Sequence, residues 1–257
     1  MIVSVPLLLV ALFALPNPVK LDLALAYRNP TLLTAFASHY VHLEVTHLLA
    51  NLLAYGAVVP VAYVVGALSG RRKTFLAAFA TFVVAFPFVL SGLNLLVPRP
   101  RVGYGFSGIA MAFVGFLALL LWEYLAVQFG NGLDRDKSPV LFFLGVGIIA
   151  MRTLPSLRSG LAVVALGVVG GLWYLRPREA DVADTVIQTV RRGARYPGHF
   201  HSAVWGVLLV VSIPFVAFPS SPAGDGTVLN VYSHALGYCL GYLVPYIALR
   251  VVGMSIE

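Results

Sequence analysis

The chain has 257 residues, 60% hydrophobic and only 11% charged, with a mean hydropathy of +0.90. That charged share is about half that of an ordinary soluble domain, which excludes a water-soluble globule. The formal net charge of +7 comes without a basic stripe interleaved with aromatics, so it reads as attraction to the anionic headgroups of a lipid bilayer and not as nucleic-acid binding.

Apolar segments run over about 2–16, 44–68, 74–97, 107–128, 139–152, 160–175, 202–218 and 231–250. Four of them reach the ~20 residues a spanning helix needs; the rest suit tilted, partial or thin-bilayer helices. In lipid the backbone must satisfy itself, and no alternating barrel strands are visible, so the fold class predicted is an all-α polytopic membrane protein. The whole chain, 1–257, reads as a single transmembrane domain. Its core is 2–128 and 202–250, with inserted segments at about 139–175 and a charged inner loop at 176–199. In that loop Ala183, Val186, Ile187 and Val190 suggest an interfacial amphipathic helix. Ala24-Leu25-Ala26 resembles a signal cleavage site, but Lys20 and Asp22 interrupt the apolar run and no basic region precedes it, so 2–16 is read as a retained helix.

Orientation follows from the basic residues. With the N-terminus inside and every segment crossing, eleven Lys and Arg (in 71–73, 135–137, 176–195 and Arg250) lie inside. Six lie outside: Lys20, Arg28, Arg99, Arg101, Arg152 and Arg158. This bias predicts cytoplasmic termini and puts the loop before Ser107 on the outer side of a cell membrane. Removing both 139–152 and 160–175 leaves the topology of the rest unchanged, so the bias does not distinguish six spans from eight.

Polar residues intrude into the apolar segments at three places. In the first, His47 and Asn51 are four apart and share a helical face, with His42 at the helix entrance. They read either as interhelical hydrogen-bonding groups or as functional ones. The set lacks His-Glu-x-x-His spacing and has no cysteine partner, since Cys239 is alone in an apolar segment. No metal site or cofactor is therefore predicted. The second is Gly105-Phe106-Ser107-Gly108, where a polar loop turns into a spanning stretch. Ser107 there is a helix cap or a nucleophile beside unpaired backbone N–H groups. The third is His234, followed at three and seven residues by Gly237 and Gly241, a face that lets another helix approach closely. Ala110, Val114 and Gly115 are the predicted matching surface on the Ser107 helix. His199 and His201 fall on the inner side and read as interfacial residues.

If those faces pack, His234 meets Ser107 at one depth. A histidine can take the serine proton during attack, a contribution of typically 10² to 10⁴ in rate. Oxyanion donors are then the Ser107 backbone N–H with the His47 and Asn51 side chains. No acidic residue is placed to orient His234, so the pair is a dyad. A soluble-hydrolase elbow is excluded, because Ile109 stands where Gly-x-Ser-x-Gly needs its second glycine and no strand precedes Ser107.

Together the motifs resemble the rhomboid family of intramembrane serine proteases: His42, His47 and Asn51; Gly105, Ser107 and Gly108; His234, Gly237 and Gly241. The resemblance implies a six-helix core, here with two extra segments. It also implies Ser107 as nucleophile, His234 as base, His47 and Asn51 at the oxyanion hole, and His42 lining a water-accessible site. Substrates would be transmembrane protein segments, and 202–218 a lateral gate. The family often carries a tyrosine four residues after the serine, packed on the imidazole; here Met111 stands there, and the first outer loop, 17–41, is short. Two other functions fit the composition. One is a catalytically idle rhomboid-like protein that binds transmembrane helices, suggested by Met111 and the short loop. The other is a small-solute transporter using the histidines as a polar path, which should show internal repeats; none is visible. Hydrolysis further requires a polar cavity open to the outer side, rimmed by His42, Asn51 and the 219–230 loop.

Overall fold

The computed structural model describes residues 1–97, 102–129, 135–154, 197–219 and 230–250, together with 165, 167, 223–224 and 227–228. Among these the architecture is helical. The helices are α1 (Ser4–Phe13), α2 (Asn17–Leu23), α3 (Leu32–Ala37), α4 (Val45–Leu68), α5 (Arg72–Val84), α6 (Phe86–Leu95), α7 (Ser107–Phe129), α8 (Pro139–Thr153), α9 (Pro197–Ala217) and α10 (Val231–Arg250). Two short antiparallel ladders join loops: β1 (Leu25–Ala26) with β2 (Val102–Gly103), and β3 (Ala223–Gly224) with β4 (Thr227–Val228).

Among the described residues three helices are long and apolar enough to cross a membrane: α4, α7 and α9, the last from Gly198. The pair α5 and α6 is a fourth if read as one span bent by 47°. The bend has a local cause. Pro87 has no N–H to give the carbonyl four residues earlier, Val83, and that carbonyl instead accepts the Tyr40 hydroxyl. α10 is 20 residues long but more polar, carrying Ser233, His234, Arg250 and four tyrosines. The predicted first segment, 2–16, shortens to the ten residues of α1, about 15 Å of helix, half a bilayer core. Of the predicted insertion, α8 occupies 139–153, while 160–175, apart from 165 and 167, and most of the 176–199 loop lie outside the described residues.

α7 is the axis of the molecule. Every residue from Gly108 to Tyr124 is buried, as expected of a helix apolar on all sides. It packs along α10 and against α4, α9 and α8. The α7–α10 contact is backbone on backbone. A side chain added at Gly237 would run into the Gly108 carbonyl, one at Gly241 into Ala112, and one at Gly115 into the Tyr238 carbonyl. The close approach expected of Gly237 and Gly241 is therefore present, but on α7 the matching surface is Gly108, Ala112 and Gly115. Ala110 and Val114 had been expected there. Residues 108, 112 and 115 follow the i, i+4, i+7 row, which is the one α10 crosses.

The two ends of this bundle differ in chemistry. At one, the fully buried Glu123 carboxylate receives Arg71 at 3.0 Å and Arg250, with Arg135 at 3.9 Å. Asp136 lies 3.5 Å from Arg250, and the Tyr124 hydroxyl is 2.8 Å from His199 Nδ1. Ser107 begins α7 at the opposite end, about 24 Å from Glu123 along a helix rising 1.5 Å per residue.

Candidate active site

Ser107 is the first residue of α7, so the backbone N–H groups of its turn have no intrahelical acceptors. The chain reaches it through Gly105, at φ +108°, a conformation that strains any residue with a Cβ. Space makes the same demand: a Cβ at Gly105 would lie 2.8 Å from His47 Nε2. The Gly105 N–H donates to the Ser38 carbonyl at 2.8 Å, and β2 pairs with β1, so the short 17–41 loop is stitched to the serine loop as one wall of the site.

That wall encloses a small cleft of about 30 Å³, lined by Leu25, Tyr27, Ser38, His39, Ser91, Asn94, Gly103, Tyr104, Gly105, Ser107, Asn230 and Ser233. The volume suits about two water molecules, and the walls are rich in polar groups able to hold them. Several of these groups were not singled out from the sequence. Ser91 donates to the Ala35 carbonyl at 2.7 Å and contacts His39 Nε2 at 3.1 Å. Asn94 donates to Leu90 O, Asn230 donates to Asn94 Oδ1 at 2.8 Å, and Asn230 Oδ1 caps α10 by accepting the Ser233 N–H at 3.0 Å. This chain docks the start of α10, and hence His234, onto α6.

His234 is 3% exposed and follows Ser233, whose hydroxyl sits where a Cβ at Gly108 would reach, 2.8 Å away. Its Nδ1 is 3.0 Å from the Ala217 carbonyl. A carbonyl only accepts, so Nδ1 carries the proton and Nε2 presents a lone pair. That is the tautomer a general base needs, and Nε2 is buried with no hydrogen-bond partner. The orienting acceptor missing from the sequence is thus a backbone carbonyl at the end of α9, one that the helix itself leaves unpaired. The ring against the imidazole also differs from expectation. Phe218 meets His234 edge-on, with centroids 5.8 Å apart, while Met111 is buried in the core of α7.

His47 lies beside Gly105, between His42 and Tyr104, with ring centroids at 5.0 and 5.7 Å, and its Nε2 is buried without a partner. Asn51 is differently engaged. Its amide nitrogen is 3.0 Å from His42 Nε2 and donates to the His47 carbonyl at 2.9 Å, so both of its protons are committed. His42 Nε2 also accepts the Phe106 N–H at 3.4 Å. The expectation that His42 and Asn51 rim the cavity is corrected accordingly: they bond to one another behind Phe106, and neither lines the cleft. Of the 219–230 loop, Asn230 alone among the described residues reaches the cleft wall.

Burial keeps the loop histidines neutral: His39 falls from 6.5 to about 4, and His42, with His47 nearby, to about 3. His199 stands with Tyr124 at the far end of α7, away from the cleft. Among the described residues no group of three or more His, Cys, Asp or Glu is placed to hold a metal ion. Comparison of the chain with protein-family models, with curated proteins and with solved structures finds no match.

Proposed function

We propose that the chain is a rhomboid-like intramembrane serine endopeptidase that cleaves transmembrane protein substrates through Ser107 and His234. The observation that carries this reading is the pairing of an accessible serine at the mouth of a buried helix with an imidazole whose Nε2 is bare. Backbone contact between Gly108 and Gly237 holds their helices together one residue from the serine and three from the histidine. In the reaction Ser107 Oγ adds to the scissile carbonyl and its proton passes to His234 Nε2. The oxyanion meets the Ser107 backbone N–H and His47 Nε2–H. The imidazolium then protonates the leaving amine, and a water from the cleft repeats the sequence on the acyl-serine, returning the proton through His234. Nε2 and Ser107 Oγ are not bonded to each other in the resting state, so their hydrogen bond forms as substrate enters.

The charge distribution supports a cell-membrane orientation with the cleft outward and the termini inside, because the Arg71, Arg135 and Arg250 cluster lies at the end opposite Ser107. In a bilayer the test is cleavage of a reporter transmembrane substrate by the wild type, Ser107→Ala and His234→Ala, with fluorophosphonate labelling in parallel. Wild-type cleavage lost in both variants is expected; cleavage retained in Ser107→Ala overturns the reading. The second reading, an idle helix-binding protein, is favoured by one observation, the committed amide of Asn51. Labelling of Ser107 by the fluorophosphonate overturns it.

A further inference from the structure

The inserted helix α8 has no part in the dyad, yet its last turn touches the structure that orients it. Arg152 Nε–H donates to the Phe218 carbonyl at 3.0 Å, and its guanidinium carbon lies 4.5 Å from the centre of the Phe215 ring. Phe215, Ala217 and Phe218 form the end of α9, where the final carbonyls have no intrahelical donors. The same short segment supplies both restraints on His234: the Ala217 carbonyl on Nδ1–H and the fully buried Phe218 ring against the imidazole edge.

We propose that Arg152 is a positioning residue for His234, acting from α8 through the Ala217–Phe218 end of α9. The inference rests on the protease reading for its consequence in catalysis, but its structural content is separate. A guanidinium at a helix C-terminus does two things there. It satisfies an orphan carbonyl, and its charge favours the negative end of the helix dipole. With Arg152 in place, the carbonyl of residue 218 is held, so the peptide before it, which carries the Ala217 oxygen, cannot rotate away from His234. Without it, the last turn frays, Nδ1 loses its acceptor, and the two neutral tautomers of the imidazole become comparable. Only one of them leaves Nε2 free to take the serine proton.

The experiment uses the full chain in lipid nanodiscs with ¹⁵N-labelled histidine, the His234 signal being assigned by its loss in His234→Gln. In the wild type His234 gives the Nδ1–H pattern. Arg152→Ala is expected to mix the tautomers, to slow fluorophosphonate labelling of Ser107 about 10- to 100-fold, and to lower kcat by a like factor with KM unchanged. Arg152→Lys, which keeps a charged donor, is expected to restore most of both signals. Arg152→Gln, a neutral donor of shorter reach, serves if Arg152→Ala does not fold. An unchanged Nδ1–H pattern with full labelling in Arg152→Ala, or in Arg152→Gln in its place, overturns the inference. A wild type that neither cleaves nor labels, yet whose His234 tautomer responds to Arg152→Ala, defeats the protease reading and supports the positioning role.

Discussion

Substituting Gly237 by alanine tests whether the meeting of α7 and α10 sets the geometry of the dyad. A Cβ at this position would lie 2.9 Å from the Gly108 carbonyl carbon and 3.3 Å from its Cα, and nearer still to the carbonyl oxygen. The obstacle is backbone, so no side-chain rotation relieves it. The helices must part by at least about 0.5 Å for the carbon to reach ordinary contact at 3.4 Å, and by on the order of 1 Å for the oxygen. Overpacking of this kind costs about 1–3 kcal/mol. Gly237 is one turn from His234, so the separation moves the imidazole relative to Ser107, and a displacement of ~1 Å lowers the rate about 10²-fold. Reporter cleavage and fluorophosphonate labelling measure the rate, and thermal unfolding in detergent measures the stability. Gly56→Ala is the matched control, because a Cβ there meets nothing within 4 Å. Wild-type cleavage in Gly237→Ala, or an equal loss in Gly56→Ala, would refute the reasoning.

Two further predictions concern stability. Glu123→Ala takes the carboxylate from Arg71 and leaves Arg250 with Asp136 and the Arg135 carbonyl, and is expected to cost about 1–3 kcal/mol. The cluster is remote from Ser107, so labelling of the protein that remains folded should keep its wild-type rate; an unfolding midpoint equal to wild type would contradict this. The second prediction is a pH dependence. His39 and His42 resist protonation in the fold down to about 4 and about 3, against 6.5 when unfolded. Between those values the unfolded chain binds more protons, so stability is full above about pH 6.5 and falls on acidification by up to about 1.4 kcal/mol per pH unit for each group. Unfolding midpoints measured from about pH 7 down to about pH 5 should fall, and a His39→Gln, His42→Gln double variant should show a shallower slope than wild type; a flat wild-type profile would refute the assignment.

Much of the framework was legible because lipid forces each segment to satisfy its own backbone. The apolar runs at 44–68, 107–128 and 231–250 became α4, α7 and α10 within a residue or two at each end. Helical spacing also exposed Gly237 and Gly241 as an approach surface, since three- and four-residue steps share a face whatever the partner. Even Glu123 left a signal, an acidic residue inside an apolar run, though the sequence named no partner for it. The segment 74–97 reads as one unbroken span, and the structure bends it by 47° at Pro87; whether a proline kinks a span or ends it depends on what accepts or fills the vacated hydrogen bond.

What the tertiary structure alone decided is which polar groups meet. Ala217 O lies 17 residues before His234, Asn94 meets Asn230 across 136 residues, and Asn51 turns to His42 and the His47 carbonyl and not to the serine. A hydroxyl, amide or imidazole in an apolar run declares that it needs a partner, because leaving it unpaired there costs several kcal/mol; it does not declare which one. Spacing along the chain determined that Ser107, His47 and His234 sit at helix ends. The backbone contact of α7 with α10 and the free carbonyl of α9 decided how His234 is turned.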